Sequence, residues 1–169
     1  MKLLSLLSER KASLTDRWLQ RLFESYSTTT AIFLRKETNR FDNPMGHQLS
    51  QGLERILETL VQDTNRDRIM AALDEVIRVR ALQNFAPSQA LAFIFLLKNV
   101  IREELAKELK DGQFSQELQE VESRIDGMAL LGFEVYTQRR EKLCEIRVTE
   151  IKQRVSSFMR SKGMDINSF

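Results

Sequence analysis

Proline and glycine are scarce in this sequence, with two prolines and six glycines among 169 residues. Because these residues supply most tight turns, their scarcity favours long helices over many short elements joined by turns. Cysteine and histidine are scarcer still, with one of each. A single cysteine, Cys144, forms no intrachain disulfide and builds no cysteine-based zinc site, which fits a reducing cytoplasm.

A strong excess of one charge and a long apolar run are also missing. Lysine and arginine number 26 against 24 acidic residues, for a formal net charge of +2. This balance argues against a dedicated nucleic-acid binder. The longest apolar run, ALAFIFLL at 90–97, is far shorter than the roughly 20 residues that span a bilayer. The N-terminus lacks a signal-peptide cleavage pattern, so we expect a cytoplasmic protein without a membrane span.

The residues that are present are typical of one folded, all-α domain over residues 1–169. The chain is 42% hydrophobic and 30% charged, which is typical of a globular protein rather than a disordered one. Apolar residues recur at helical spacing almost everywhere, and no convincing two-residue alternation interrupts them. Ser13 could divide the first helical stretch by capping a second helix. The pattern predicts helices over residues 2–25, 28–37, 44–61, 66–84, 87–110 (stopped by Gly112) and 115–162.

The stretch RFDNPMGHQL at 40–49 contains the only histidine. Asn43 and Pro44 together predict a helix start, because asparagine accepts free backbone N–H groups and proline suits the first helical position. His47 then lies in the first turn of that helix. Three interpretations stay open for it: a structural or surface residue, a residue of a ligand pocket or interface, and a phosphoacceptor or haem ligand. The helix dipole disfavours a protonated imidazole at this end.

Two polar residues fall on the buried face of the helix predicted over 66–84. Arg80 and Gln83 continue the spacing of its apolar stripe. Arg80 either snorkels and satisfies the helix's own terminal carbonyls, or points at Asp42 or an anionic ligand, with Gln83 bonding the same group.

The two proline-containing helix starts resemble each other. FDNP and FAPSQ each carry a phenylalanine before the helix, Phe41 and Phe85. Each phenylalanine could pack under its turn as a hydrophobic staple does. We therefore predict that both starts frame one corner of the domain, where Arg80 would reach Asp42 or a backbone carbonyl. The candidate ligand or corner residues are Phe41, Asp42, Asn43, His47, Arg80, Gln83 and Ser88.

The last predicted helix is too long for one small domain to cover. A helix of about 45 residues is about 70 Å long, roughly twice the width of a domain built from the first 110 residues. Its distal apolar positions therefore need a second surface, and closed two-fold dimers are the commonest solution. A break near 138–142, with the helix folding back, is the alternative. The predicted homodimer contacts are Val148, Ile151, Val155 and Phe158.

Catalytic chemistry has little support in the sequence. No glycine-rich phosphate loop occurs, and Cys144 lies on a long charged helix without the surroundings of a nucleophile. One histidine and one cysteine do not make a metal site by themselves. We predict no catalytic residue, no metal ligand and no cofactor.

Several segments resemble the RsbRD-type N-terminal sensory domain of RsbT co-antagonist proteins. They cover much of residues 14–110 in the family's order, and the most specific parts are FDNPMGH and RALQNFAPSQA. The segments are RWLQRLFESY (17–26), FLRKETNRFDNPMGHQL (33–49) and VIRVRALQNFAPSQALAFIFLLKNVIREEL (76–105).

The resemblance implies a haem-less, globin-like helical domain that is often dimeric and whose last helix leads to an output domain. In the co-antagonist proteins that output is a STAS domain, which holds a serine/threonine kinase of the bacterial stress pathway; similar input domains precede sensor kinases. Here the sequence ends at Phe169, soon after the long helix, so we expect a stand-alone relative or an excised input domain.

Three functions are compatible with the sequence. The first is a non-enzymatic sensory or regulatory module of stress-type signalling, which relays a ligand or partner signal through residues 115–162. The second is a haem or gas sensor in which His47 or Cys144 ligates iron. The third, which the sequence favours least, is a histidine phosphotransfer protein that uses His47.

Overall fold

The computed structural model describes residues 2–36, 43–62, 65–83 and 85–163, and within these ranges all regular structure is helical. The all-α prediction with a long C-terminal helix is therefore confirmed. The helices are α1 (Lys2–Glu9), α2 (Lys11–Phe23), α3 (Thr28–Lys36), α4 (Pro44–Gln62), α5 (Arg66–Ala81), α6 (Pro87–Glu104) and α7 (Ser115–Ser161). None of these helices is both long and apolar enough to span a membrane.

The chain divides into two compact units, Met1–Tyr136 and Thr137–Phe169. The first unit holds α1 to α6 and the beginning of α7, and the second holds the rest of α7. The single sensory domain over residues 1–169 stays a prediction.

The division between the first two helices lies at Arg10, so the prediction that Ser13 caps a second helix is wrong. The Arg10 N–H donates to the Leu6 carbonyl (3.0 Å), and the Arg10 carbonyl accepts from the Leu14 N–H (2.9 Å). Helical hydrogen bonding thus continues almost without interruption through Arg10. The Ser13 hydroxyl instead donates to Glu104 (2.9 Å) on α6, so it joins two helices rather than starting one.

Helix α6 ends at Glu104, earlier than the predicted residue 110. At Leu105 the backbone leaves helical geometry (φ −101°, ψ 20°), and the Leu105 side chain is fully buried. The following turns lead to Gly112, whose φ of 68° is easily adopted only by glycine. The Gly112 carbonyl then accepts from the N–H of Ser115 (3.1 Å), the first residue of α7. Gly112 therefore lies near the end of the connection between α6 and α7, and the prediction that it stops α6 is wrong.

The core of the first unit forms where the predicted apolar faces meet. Trp18 of α2 is fully buried, and its indole N–H donates to the Phe93 carbonyl of α6 (2.7 Å). The two rings stack at 6.0 Å, which fixes α2 against α6. Helix α4 buries the stripe that its sequence predicts: Leu49, Leu53, Ile56, Leu57 and Leu60.

Two glycines allow helices to approach closely. A Cβ on Gly52 of α4 would lie 2.6 Å from a methyl group of Val76 on α5. A Cβ on Gly132 of α7 would lie 2.7 Å from the Ile94 δ-methyl on α6. Both distances are too short for carbon atoms. The Val76 side chain is stiff, so the contact at Gly52 requires the absence of a side chain, whereas at Gly132 the terminal methyl group of Ile94 would have to move.

Helix α7 carries a different apolar face in each unit. In the first unit the predicted stripe is buried and consists of Leu118, Val121, Ile125, Met128, Gly132 and Val135. The helix continues through 138–142 without the break that was the alternative. In the second unit the predicted contact residues Val148, Ile151, Val155 and Phe158 are exposed, and so is Ile146.

We expect alanine substitutions at two helical glycines to have opposite effects. Gly52→Ala should lower the free energy of unfolding by about 1–2 kcal/mol, because overlap with the stiff Val76 side chain outweighs the gain in helix propensity. Gly127→Ala should raise it by up to about 1 kcal/mol, because a Cβ there meets no atom within 4 Å. Urea denaturation followed by circular dichroism measures both, and equal effects of the two variants would contradict the described packing.

Candidate functional site

The start of α4 is built around a buried asparagine. The Asn43 Oδ1 accepts from the Gly46 N–H (2.8 Å), and its Nδ2 donates to the Leu34 carbonyl of α3 (3.1 Å). A Cβ on Gly46 would overlap the Asn43 amide, so glycine is needed there. The capping by asparagine and the role of Pro44 as the first helical residue agree with the predicted helix start. Asn43 also ties the end of α3 to α4.

His47 lies one turn into α4 at the edge of a cavity. The backbone N–H of His47 donates to the backbone carbonyl of Asn43 (3.2 Å). The imidazole side chain is partly buried. The cavity, of about 370 Å³, lies between α2, α3 and α4, and we call it the α2–α4 cavity. Its polar lining consists of Asp16, Gln20, Arg35, Asn43, His47 and Ser50.

The α2–α4 cavity presents both charges and an apolar base. Asp16 and Arg35 supply opposite charges, while Leu19, Phe23 and Leu34 supply hydrocarbon. Small-molecule sites commonly combine apolar walls with a few polar groups that fix orientation. His47 lies on the wall of this cavity, as its interpretation as a ligand-pocket residue requires.

Arg80 is buried at the end of α5, with 1% of its surface exposed. Its Nε donates to the Ala90 carbonyl (2.9 Å), and its Nη2 donates to the Gln89 carbonyl (2.8 Å) and the Ser25 hydroxyl (3.2 Å). The carbonyls belong to α6, and Ser25 follows α2. The interpretation that Arg80 snorkels or satisfies its own helix's carbonyls is therefore wrong, because the guanidinium turns inward to neighbouring elements.

Aromatic rings surround the Arg80 guanidinium. Its central carbon lies 4.5 Å from the Phe85 ring centre, 5.3 Å from that of Tyr26 and 6.0 Å from that of Phe93. Such contacts favour a cation through the ring quadrupole. Burial lowers the pKa of Arg80, and the nearby Tyr26 side chain opposes this shift. Arginine stays protonated in proteins, so the group is a buried cation.

Gln83 extends this cluster toward α4. Its Nε2 lies 3.5 Å from the Met45 sulfur, so the start of α4 and the start of α6 both contact the end of α5. Phe85 meets Tyr26 edge to face at 5.5 Å. Within the described ranges, three buried atoms of this cluster form no hydrogen bond: Arg80 Nη1, Gln83 Oε1 and Tyr26 Oη. We call Ser25, Tyr26, Met45, Arg80, Gln83, Phe85, Gln89 and Ala90 the Arg80 corner.

The predicted site residues therefore divide between two places. Asn43 and His47 line the α2–α4 cavity, whereas Arg80 and Gln83 form the corner. Ser88 is exposed in the first turn of α6. Phe41 and Asp42 lie outside the described residues, so the predicted Arg80–Asp42 contact stays a prediction.

The sequence predicted Asp42 or a backbone carbonyl of the corner as the partner of Arg80, and the guanidinium bonds two carbonyls at the start of α6, those of Gln89 and Ala90. Sequence reasoning missed Ser25 and Tyr26, which follow shortly after α2. A serine–tyrosine pair near a helix end was the only available signal for them. Cys144 is exposed on α7. No cluster of three or more histidine, cysteine, aspartate or glutamate side chains that could hold a metal occurs in the described ranges.

A family model described as the RsbT co-antagonist protein rsbRD N-terminal domain matches residues 12–150. The chain belongs to this family. The match begins at α2 and continues well into α7, so it extends the resemblance beyond residues 14–110. The rsbRD N-terminal family comprises regulatory domains of stress signalling. No curated protein and no solved structure matches the chain, and the globin-like architecture stays a prediction.

We expect lysine to be a poor substitute for Arg80 in this rsbRD N-terminal domain. Arg80→Lys should lower the free energy of unfolding by about 1–3 kcal/mol, because the ammonium group cannot reproduce the planar fork and ring stacking and is more strongly hydrated. The matched control is Arg66→Lys on the exposed start of α5, where surface ion pairs contribute little and the change should stay within about 0.5 kcal/mol. Thermal or urea unfolding measures both variants, and a neutral Arg80→Lys would refute the stacked geometry.

Proposed function

We propose that the chain is a non-enzymatic sensory or regulatory input domain that binds a ligand or partner and relays the change through α7. One observation carries the proposal. The single helix Ser115–Ser161 has a buried apolar stripe in the first unit and an exposed apolar stripe in the second. A helix with these two faces suits a relay. Its first part packs in the core of the first unit, so a change in that core would move it, and its second part is exposed to a partner.

The input side of this proposal uses the α2–α4 cavity and the Arg80 corner. Both involve the first turns of α4, since His47 lines the cavity and Met45 contacts Gln83 of the corner. A ligand against His47 would bear on the same turn of α4 whose Met45 contacts Gln83 of the Arg80 corner. The polar cavity lining favours a small polar molecule over a purely apolar one. Membership of a stress-signalling family supports the regulatory role.

The output side of the proposal is a homodimer formed through the second unit. Val148, Ile151, Val155 and Phe158 are separated by steps of three and four residues and are each between 49% and 62% exposed. This spacing is that of a coiled-coil seam. Burying such a side chain contributes about 1.5–3 kcal/mol, which is large against a total stability of about 5–15 kcal/mol.

We further propose a cytoplasmic location and a signalling partner of the STAS or kinase type at the end of α7. The family supports this choice, because its members are N-terminal domains of co-antagonist proteins. Neither nucleic acid nor a membrane is a proposed partner. The balanced charge of the sequence is the reason for excluding nucleic acid.

We expect the double variant Val148→Glu, Ile151→Glu to dissociate the dimer. Four buried glutamates would face each other across a two-fold seam, and the loss of apolar contact adds to their repulsion. Analytical ultracentrifugation should give a mass near twice 19.7 kDa for the wild-type protein and 19.7 kDa for the variant.

The matched control for this experiment is Ile146→Glu, Gln153→Glu, which adds the same charge to the same helix. Ile146 is also exposed, but it lies roughly 160° around the helix from Val148, and Gln153 lies as far from Ile151. This variant should remain dimeric. A monomeric wild-type protein at tens of micromolar, or equal dissociation of both variants, would be evidence against the seam.

We expect a side chain that fills the α2–α4 cavity to change the dynamics of distal α7. His47→Trp places an indole in a cavity of about 370 Å³ and should alter hydrogen exchange at residues 144–158 by at least about threefold, since local opening equilibria respond to packing changes elsewhere in a coupled element. Mass spectrometry of peptides from α7 measures the exchange rates.

The control for the relay is Gln51→Trp, an equal change at an exposed position of α4. It should leave exchange in distal α7 unchanged. If His47→Trp is folded and its distal α7 also exchanges at the wild-type rate, the relay through α7 is rejected while the dimer remains a separate question.

A further inference from the structure

A second cavity lies between the α4–α5 pair and α7, within the first unit. Its volume is about 230 Å³, and it shares no residue with the α2–α4 cavity. Its apolar walls are formed by Leu60 of α4, Ile69 of α5, and Met128 and Leu131 of α7. We call it the α7 cavity.

The polar residues of the α7 cavity have bonding partners of their own. The Thr59 hydroxyl donates to the Ile56 carbonyl of its own helix (2.8 Å). The Arg124 guanidinium donates to Glu120 (3.1 Å), one turn earlier on α7. The walls therefore offer mainly hydrocarbon surface to a bound molecule.

Gly127 lies on the wall of this cavity and is unlike the other glycine in the interior of α7. Gly132 is closely packed, because a Cβ there would displace the Ile94 δ-methyl, which would lie 2.7 Å away. A Cβ on Gly127 would meet no atom within 4 Å, so packing does not require glycine there. Glycine is also among the least favourable residues in a helix interior. Gly127 is itself exposed, so the absence of a side chain there leaves the open side of the cavity uncovered.

The size and lining of the α7 cavity indicate a class of ligand. The cavity is half open to solvent and its lining is mostly apolar, which favours an apolar molecule over a polar one. We propose that the α7 cavity binds a small uncharged apolar molecule, of the monocyclic aromatic or short hydrocarbon class. The ligand would touch α4, α5 and α7 together and so stabilise their packing. This binding site does not depend on the proposed sensory function or on dimerisation.

The test uses the full chain with toluene as the probe. Methionine methyl groups labelled with ¹³C are observed by NMR, with Met128 reporting the α7 cavity and Met45 serving as a reference outside it. Toluene should shift the Met128 signal saturably, with a Kd below about 1 mM.

Two variants fill the cavity from different walls. Gly127→Leu and Ile69→Phe should each weaken toluene binding at least about tenfold, because the added side chain occupies the ligand's volume. The matched control, Gln119→Leu, adds the same leucine to an exposed position of α7 and should leave the Kd unchanged. No Met128 shift at toluene saturation, or wild-type affinity in both filling variants, would overturn the proposal.

Discussion

A single buried cation holds together the elements on which the domain depends. Arg80 ends α5, bonds two carbonyls of α6 and reaches the serine that follows α2. Burying an unpaired charge is costly, so the guanidinium must satisfy its donors inside the protein. Two carbonyls and the Ser25 hydroxyl accept hydrogen bonds from Nε and Nη2, and three aromatic rings surround the group, while Nη1 forms no hydrogen bond. The ends of α2 and α5 and the start of α6 are therefore held by one side chain, and a displacement of any of them changes the surroundings of that charge.

The buried Arg80 also connects the Arg80 corner with the α2–α4 cavity, the two places to which the proposed function assigns the input signal. Gln83 continues the Arg80 corner to Met45, and the same turn of α4 places His47 in the α2–α4 cavity. The α7 cavity lies elsewhere, between the α4–α5 pair and α7, and differs in chemistry because its walls are mostly hydrocarbon. Helix α4 thus borders both cavities, a polar one at its start and an apolar one near its end. The ligands proposed for the two cavities would therefore contact the same helix.

Several particular features followed from the sequence. The stripe Leu49 to Leu60 and the stripe Leu118 to Val135 were predictable, because helical periodicity separates buried from exposed positions without tertiary information. Asn43 and Pro44 marked the start of α4 by capping chemistry alone. Arg80 was recognised as unusual because a charge fell on an apolar face. The sequence failed at Ser13, whose hydroxyl binds a glutamate distant in the chain, and at the end of α6, where the burial of Leu105 accompanies the departure from helical geometry.

The sequence by itself determined the helical class, most helix starts and the faces that are buried, since these depend on spacing and on local capping. Only the tertiary structure decided what Arg80 bonds, because its partners are backbone carbonyls and rings brought together from three separate segments. It also decided that Gly52 and Gly132 lie in close contact with a neighbouring helix whereas Gly127 does not. All three glycines look alike in the sequence. The distinction arises from the distance between neighbouring helices, which a residue's own local sequence does not encode.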